Sequence, residues 1–232
     1  MTTQLDTDIA NPEKEYSLYF LEPGMASAVA ADIAALHAEM LPHSPVVLLG
    51  MPFMQRFYYA VLPRENLICG AVAYYRDTPV GFIVATHDPA SFMSKALHRH
   101  WGKLALLVAR SLITQPGSIS GLWEALQIMR HLPKPKNLSN VGELLSFGVL
   151  PEYAKRKFVK HTGLHISMDL QNAVEQQLRL LGTRRLRSLV DQDNTVARLF
   201  YTGLGWHQES GLVPGWKQPV VQYYKLLDAP EA

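Results

Sequence analysis

The chain alternates short apolar runs, which fit buried strands, with longer segments whose apolar residues recur at helical spacing. Strands are predicted at residues 16–21, 67–75, 79–86, 142–149, 183–190 and 219–227. Helices are predicted at residues 25–41, 51–62, 92–112, 119–132, 163–182 and 194–203. The polar residues 76–78 join the second and third strands, as in a hairpin. This order predicts a mixed α/β domain.

The stretch from Val190 to Trp206 has the pattern of a strand end, a loop, a short helix and a tight stop. Asn194, or Asp193 before it, is suited to cap the helix, because a short polar side chain accepts a free N–H of the first turn. Glycines end the helix where the backbone needs a positive φ. Those glycines are Gly203 and Gly205.

This stretch resembles the late signature of the GNAT superfamily of acyl-CoA-dependent N-acyltransferases, Asn-x-x-Ala-x-x-Phe/Leu-Tyr-x-x-x-Gly-Phe. The matching residues are Asn194, Ala197, Phe200, Tyr201 and Gly205, with Trp206 in place of Phe. A second segment, from Glu143 to Tyr153, resembles the family pattern Glu-Leu-x-x-x-x-Val-x-Pro-x-Tyr.

The resemblance implies a GNAT fold over residues 16–232, after a flexible tail at 1–15. Such a fold has a mixed, mostly antiparallel sheet of about seven strands, splayed between strands four and five, with helices on both faces. It also implies transfer of an acetyl or short acyl group from acetyl-CoA, as co-substrate, to a primary amine in a ternary complex. The alternative is a non-catalytic domain that binds acyl-CoA or a protein partner.

The resemblance also implies where acetyl-CoA binds. The pantetheine arm would lie along strand four, and Asn194 would bond the same arm. A basic loop and the start of the next helix would hold the diphosphate, since a helix N-terminus offers free N–H donors and a positive field. The residues implied are Phe147, Gly148, Val149, Lys160, His161, Thr162, Gly163, Leu164 and His165. Lys160 and His165 depart from the family's Arg/Gln-x-x-Gly-x-Gly/Ala pattern.

Two residues are candidates for proton transfer. Tyr201 matches the family's usual general acid, which would protonate the thiolate as the thioester breaks. No acidic residue stands at the strand-five position where some members carry their base, because that position is Leu189. Glu143 is the first candidate for the base, followed by Asp191 and His207.

Residues 88–140 depart from a plain GNAT domain and are interpreted as a helical insertion after strand three. Seven basic residues fall between Pro89 and Val141, against one acidic residue, Glu124. Three interpretations stay open: a cap on the sheet or a homodimer contact, a lid over the acceptor pocket, or a membrane-surface contact. The basic excess suits a small-molecule amine that is anionic overall, such as an amino-sugar nucleotide, under the second or third interpretation.

Composition fits one globular domain of 232 residues, with 48% hydrophobic and 18% charged residues. The net charge of +2 gives no reason to expect a nucleic-acid partner. His98 and His100 do not share a helix face, so no metal site is predicted. Without a signal peptide, a spanning run or a partner for Cys69, the expected location is cytoplasmic.

Overall fold

A computed structural model of the chain describes residues 15–102, 140–213 and 219–227. Its strands form one seven-stranded sheet in the order β1-β2-β3-β4-β5-β7-β6. The strands are β1 (Tyr16–Phe20), β2 (Cys69–Tyr75), β3 (Thr78–Thr86), β4 (Val141–Val149), β5 (Arg185–Asp191), β6 (His207–Gln208) and β7 (Val220–Leu226). Neighbouring strands are antiparallel except β4 and β5, which run parallel. The predicted mixed sheet of seven strands is confirmed.

The helices lie between the strands in the predicted order. They are α1 (Ser27–Met40), α2 (Pro45–Leu48), α3 (Met51–Phe53), α4 (residues 92–102, the described part), α5 (Pro151–Ala154), α6 (Arg156–Thr162), α7 (Ile166–Leu180) and α8 (Thr195–Gly203). Helix α3 continues as a π-helical turn over Met54–Tyr58. Residues 103–139, the rest of the predicted insertion, lie outside the described residues.

Helix α7 covers one face of the sheet and runs antiparallel to β4. A Cβ added to Gly142, near the start of β4, would lie 3.4 Å from Leu178 near the end of α7. A Cβ on Gly81, which pairs with Val149 at the end of β4, would lie 3.2 Å from Leu170. The first turn of α7 therefore lies beside the last residues of β4.

The opposite face carries α1, the π-helical turn and the start of α4. Its buried core is aromatic and aliphatic, and includes Ile33, Phe57, Tyr59, Val72, Phe82 and Ala96. The core under α7 is a separate cluster that includes Leu144, Leu170, Val174, Leu186 and Tyr201. The two cores show that helices cover both faces of the sheet, as predicted.

Two local predictions were wrong, and a third was confirmed only in part. The helix expected at residues 51–62 extends from Met51 to Tyr58 and is π-helical after Phe53. The basic segment after β4, expected to be a flexible loop, forms α5 and α6. Gly163 does not open the following helix but ends α6 in the left-handed conformation, with φ of 71°, and α7 begins at Ile166.

None of the helices in the described ranges is both long and apolar enough to cross a membrane.

Candidate active site

β4 and β5 pair at one end only. Their parallel register runs from Val141 opposite Arg185 to Leu144 opposite Ser188. β4 continues to Val149 and β5 to Asp191, but the described register between them stops at Leu144. The strands therefore part and leave a wedge-shaped cleft, closed at Leu144 and open at Val149. The splay predicted between strands four and five is confirmed.

A β-bulge lies where the two strands part. Ala85 of β3 pairs with Leu144 and Val84 pairs with Ser146, so Leu145 is an extra residue in β4. A bulge of this kind bends a strand and increases its twist. The bulge accounts for the departure of the second half of β4 from β5.

The second half of β4 turns main-chain groups toward the cleft. The N–H of Leu150 donates to the carbonyl of Val80 on β3 at 2.8 Å. Because alternate residues of an antiparallel strand face alternate sides, Gly148 also faces β3, whereas Phe147 and Val149 face away from it. The N–H and C=O groups of Phe147 and Val149 therefore face the space that β5 has left.

The length of the cleft sets the length of an extended ligand arm that could lie in it. Val149 lies five positions beyond Leu144, a span of about 17 Å at strand spacing. The first turn of α7 lies at the open end, where the N–H groups of Ile166 and Ser167 precede the first bonds of the helix, which Met168 and Asp169 donate to the His165 carbonyl. An anion at the open end and a reacting group at the closed end would thus be joined by an arm lying along Phe147 and Val149.

Gly148 is one of the residues implied to bind the pantetheine arm, and it lies three residues after the bulge at Leu145. Its open side faces Met40 of α1, since a Cβ there would lie 2.7 Å from the Met40 Cε. The glycine lets β4 and α1 approach closely, and its main-chain groups face β3.

The basic residues predicted to hold a diphosphate lie on α6 and at the start of α7. Lys160, His161 and Thr162 form the last turn of α6, and His165 is the N-cap residue of α7 without a side-chain capping bond. Lys160, His161 and His165 are exposed, whereas Leu164 is buried in the core under α7. Only the exposed members of this set present side chains to a ligand.

Asn194 caps α8, as predicted. Its Oδ1 accepts the N–H of Ala197 at 3.0 Å. Behind this cap, Phe200 of α8 stacks on Phe147 of β4, with ring centroids 5.1 Å apart. The two rings join α8 to the displaced half of β4 and line the cleft on that face.

Tyr201 lies at the closed end of the cleft, on the face covered by α7 and α8. Ser188, which forms the last register pair with Leu144, donates its hydroxyl to the Tyr201 Oη at 3.1 Å. Because Ser188 donates, the proton of Tyr201 stays available to another acceptor. Burial raises the pKa of Tyr201, and the hydrogen bond from Ser188 lowers it by less, so the pKa is about 12. Tyr201 therefore holds its proton in the resting protein.

Glu143 lies at the same closed end but on the opposite face. It stands directly across from Arg187 in the register. The Arg187 Nε donates to the Glu143 Oε2 at 2.7 Å, and Nη2 donates to the same oxygen. Burial raises the pKa of Glu143 and Arg187 lowers it, with a net shift upward. A raised pKa makes a carboxylate a stronger base.

The weaker candidates lie elsewhere. Asp191 is exposed at the end of β5, and His207 is exposed in the edge strand β6. Leu189 follows Arg187 by two residues and shares its face of the sheet. Cys69 is buried, and burial raises the pKa of its thiol to about 12, so the sequence prediction of a buried residue rather than a nucleophile agrees with its surroundings.

No family model matches this chain, and no curated protein matches it. Among solved structures, a Salmonella typhimurium protein described as an acetyltransferase, solved with acetyl-CoA, is 13% identical, with a TM-score of 0.53 over 94% of this chain and 99% of its own. The chain has the GNAT fold. A GNAT-family acetyltransferase of Streptococcus pneumoniae is 14% identical, with a TM-score of 0.52 over 91% of this chain and 99% of its own.

A eukaryotic structure shows the same likeness. Arabidopsis thaliana NAA60, solved in complex with acetyl-CoA, is 12% identical, with a TM-score of 0.51 over 91% of this chain and 98% of its own. At such identities the likeness establishes the GNAT fold, and the chemistry of this chain is argued from its own residues.

Sequence reasoning missed two features of the site. One is Arg187, because its parallel register with Glu143 is not visible along the chain. The other is a buried polar cluster in which His37 of α1 contacts Tyr59, Ser44 and Ser146. His37 and its three partners come from four separate segments, so no local pattern marks them.

Proposed function

We propose that this chain transfers an acetyl, or another short acyl, group from acetyl-CoA to a primary amine by direct attack in a ternary complex. The observation that carries the proposal is the cleft, with the first turn of α7 at its open end and two proton-transfer candidates at its closed end. A diphosphate at α7 and a pantetheine arm along Phe147 and Val149 would bring the thioester to Leu144.

The opposite positions of Tyr201 and Glu143 suit the two proton transfers. Glu143 lies on the opposite face of the sheet from Tyr201, so the amine would approach the thioester carbonyl from the face of α1. There Glu143 would take a proton from the amine as its nitrogen forms a bond to the carbonyl carbon. When the C–S bond breaks, Tyr201 would donate its proton to the sulfur, and Tyr201 would be reprotonated before the next turnover.

The test is a pair of measurements with acetyl-CoA. Acetyl-CoA should raise the melting temperature, because a ligand that binds only the folded state stabilises it, and thiol should be released when an amine is added. Tyr201→Phe should lower turnover about 10²- to 10⁴-fold, the usual contribution of a positioned general acid, while the affinity for acetyl-CoA stays close to wild type. Equal turnover in the variant would remove Tyr201 from the mechanism.

A non-catalytic acyl-CoA-binding domain is the second candidate. The Glu143–Arg187 ion pair favours it, because a carboxylate held by a guanidinium is not free to take a proton. Stabilisation by acetyl-CoA without thiol release across a panel of amines would support this candidate over the enzyme. An absence of stabilisation would contradict both candidates.

A further inference from the structure

The Glu143–Arg187 ion pair lies where an acceptor would meet the thioester. The pair sits one residue before the strands part, on the face opposite α7 and α8. Each side chain is 13% exposed, so both charges are largely removed from water yet remain within reach of a ligand. Their bonds satisfy one carboxylate oxygen, Oε2, and two guanidinium nitrogens.

A cationic amine that bound Glu143 would take the carboxylate away from Arg187. A partly buried guanidinium would then have lost its partner, and an unpaired buried charge is strongly destabilising. An anionic ligand that bound Arg187 would leave Glu143 unpaired in the same way. Only a ligand that carries both charges keeps Glu143 and Arg187 paired when it enters.

We propose that the acceptor is a zwitterion, an amine that carries a carboxylate one or two carbons from its nitrogen, as in a free amino acid. Its ammonium group pairs with Glu143 on binding, and its carboxylate pairs with Arg187. Before the attack the ammonium loses one proton to solvent, and Glu143 takes the second proton as the nitrogen forms its bond to the carbonyl carbon. The ion pair of the resting protein is thus exchanged for two ion pairs with the ligand. This inference rests on the proposed acyl transfer and names its substrate class.

A second ion pair on the same face provides the comparison. Arg185, two residues before Arg187 on β5, pairs with Glu209 and lies over the Tyr224 ring at 4.2 Å. Both of its charged side chains are 39% exposed, so water screens them. Arg185 also lies farther from the splay, since its partner in the β4 register is Val141. It is therefore a matched control for Arg187.

The experiment measures thiol release from acetyl-CoA by the wild-type protein with matched acceptors: amino acids, their carboxamides, and simple amines without a carboxylate. We expect kcat/KM for the best amino acid to exceed that of its carboxamide by at least about 100-fold, the scale of a lost buried partner. The amine of the carboxamide is less basic than that of the amino acid, so a larger fraction of it is unprotonated and able to attack. This difference favours the carboxamide and therefore works against the expected ratio. Arg187→Gln should bring the ratio close to one, and Arg185→Gln should keep it.

The outcomes separate this inference from the proposed function. Thiol release that is equal or faster with carboxamides or simple amines overturns the zwitterionic acceptor and leaves the acyl transfer standing. A ratio that Arg187→Gln and Arg185→Gln lower equally also overturns it. No thiol release with any acceptor contradicts the proposed function itself. The wild-type panel needs no variant, so a failure of Arg187→Gln to fold does not prevent the test.

Discussion

His37 of α1 is fully buried. Its Nδ1 lies 2.5 Å from the Tyr59 hydroxyl, and its Nε2 lies 2.8 Å from the Ser44 hydroxyl. Its ring also stacks on Phe82 with centroids 5.2 Å apart. An imidazolium in this position would lose its hydration without gaining a carboxylate among these contacts. Burial therefore lowers the pKa of His37 from 6.5 to about 4.

This shift predicts a pH-dependent loss of stability. Between pH 6.5 and about 4 the unfolded chain binds a proton at His37 that the folded protein excludes, so the free energy of unfolding falls as the pH falls. The loss is about 3 kcal/mol over that window, at about 1.4 kcal/mol per pKa unit. Urea unfolding of the wild type and of His37→Gln at several pH values checks this. Parallel pH profiles for the two proteins would contradict the assignment.

At the scale of elements, the contact of β2 with β3 depends on one residue without a side chain. A Cβ on Gly70 would lie 2.1 Å from the main-chain oxygen of Ile83, a distance that no side-chain rotation relieves. The Gln177 side chain of α7 also binds both main-chain polar groups of Gly70. It accepts the N–H at 2.9 Å and donates to the carbonyl at 3.3 Å. Gly70 therefore joins β2, β3 and α7.

Gly70→Ala should lower the free energy of unfolding by more than about 3 kcal/mol, in the range of backbone clashes and strain. The matched control is Gly203→Ala at the end of α8, where an added Cβ meets nothing within 4 Å. The control should stay within about 0.5 kcal/mol of wild type. Denaturant unfolding of both variants measures the difference, and similar losses in the two would contradict the packing argument.

The elements that the sequence predicted well are those set by local signals. The strand expected at residues 142–149, the Asn194 cap and the positive φ of 75° at Gly205 follow from residues close together in the chain. Gly203, also expected to have a positive φ, is instead the last helical residue of α8. Helices α5 and α6 were missed because they are too short for a periodic pattern, with four and seven residues. β6 was missed because it has two residues, and only pairing with β7 defines it.

The features of the candidate site that the sequence did not show depend on register. The bulge at Leu145 exists only relative to β3, and the Glu143–Arg187 pair only relative to the parallel alignment of β4 with β5. Gly148 was expected to adjoin the pantetheine arm, and the neighbour that needs its space is Met40 of α1. A one-dimensional pattern carries no information on which strands are adjacent or how they are aligned.

At the scale of the whole molecule, the parting of β4 from β5 organises the candidate site. The face covered by α7 and α8 supplies a helix N-terminus and Tyr201. The face of α1 supplies Glu143 and Arg187. The described part of α4 packs on that second face through Phe92, Met93 and Ala96, so the predicted insertion begins on the side where the acceptor would enter.

The most direct test of the account is amide hydrogen exchange, read residue by residue, with and without acetyl-CoA. The N–H groups of Phe147 and Val149 face the cleft, whereas the N–H of Gly148 between them faces β3. The account predicts that acetyl-CoA slows exchange at Phe147, Val149 and the first turn of α7, and leaves Gly148 nearly unchanged. Protection elsewhere, with Phe147 and Val149 unaffected, would contradict the claim that a thioester arm lies in this cleft.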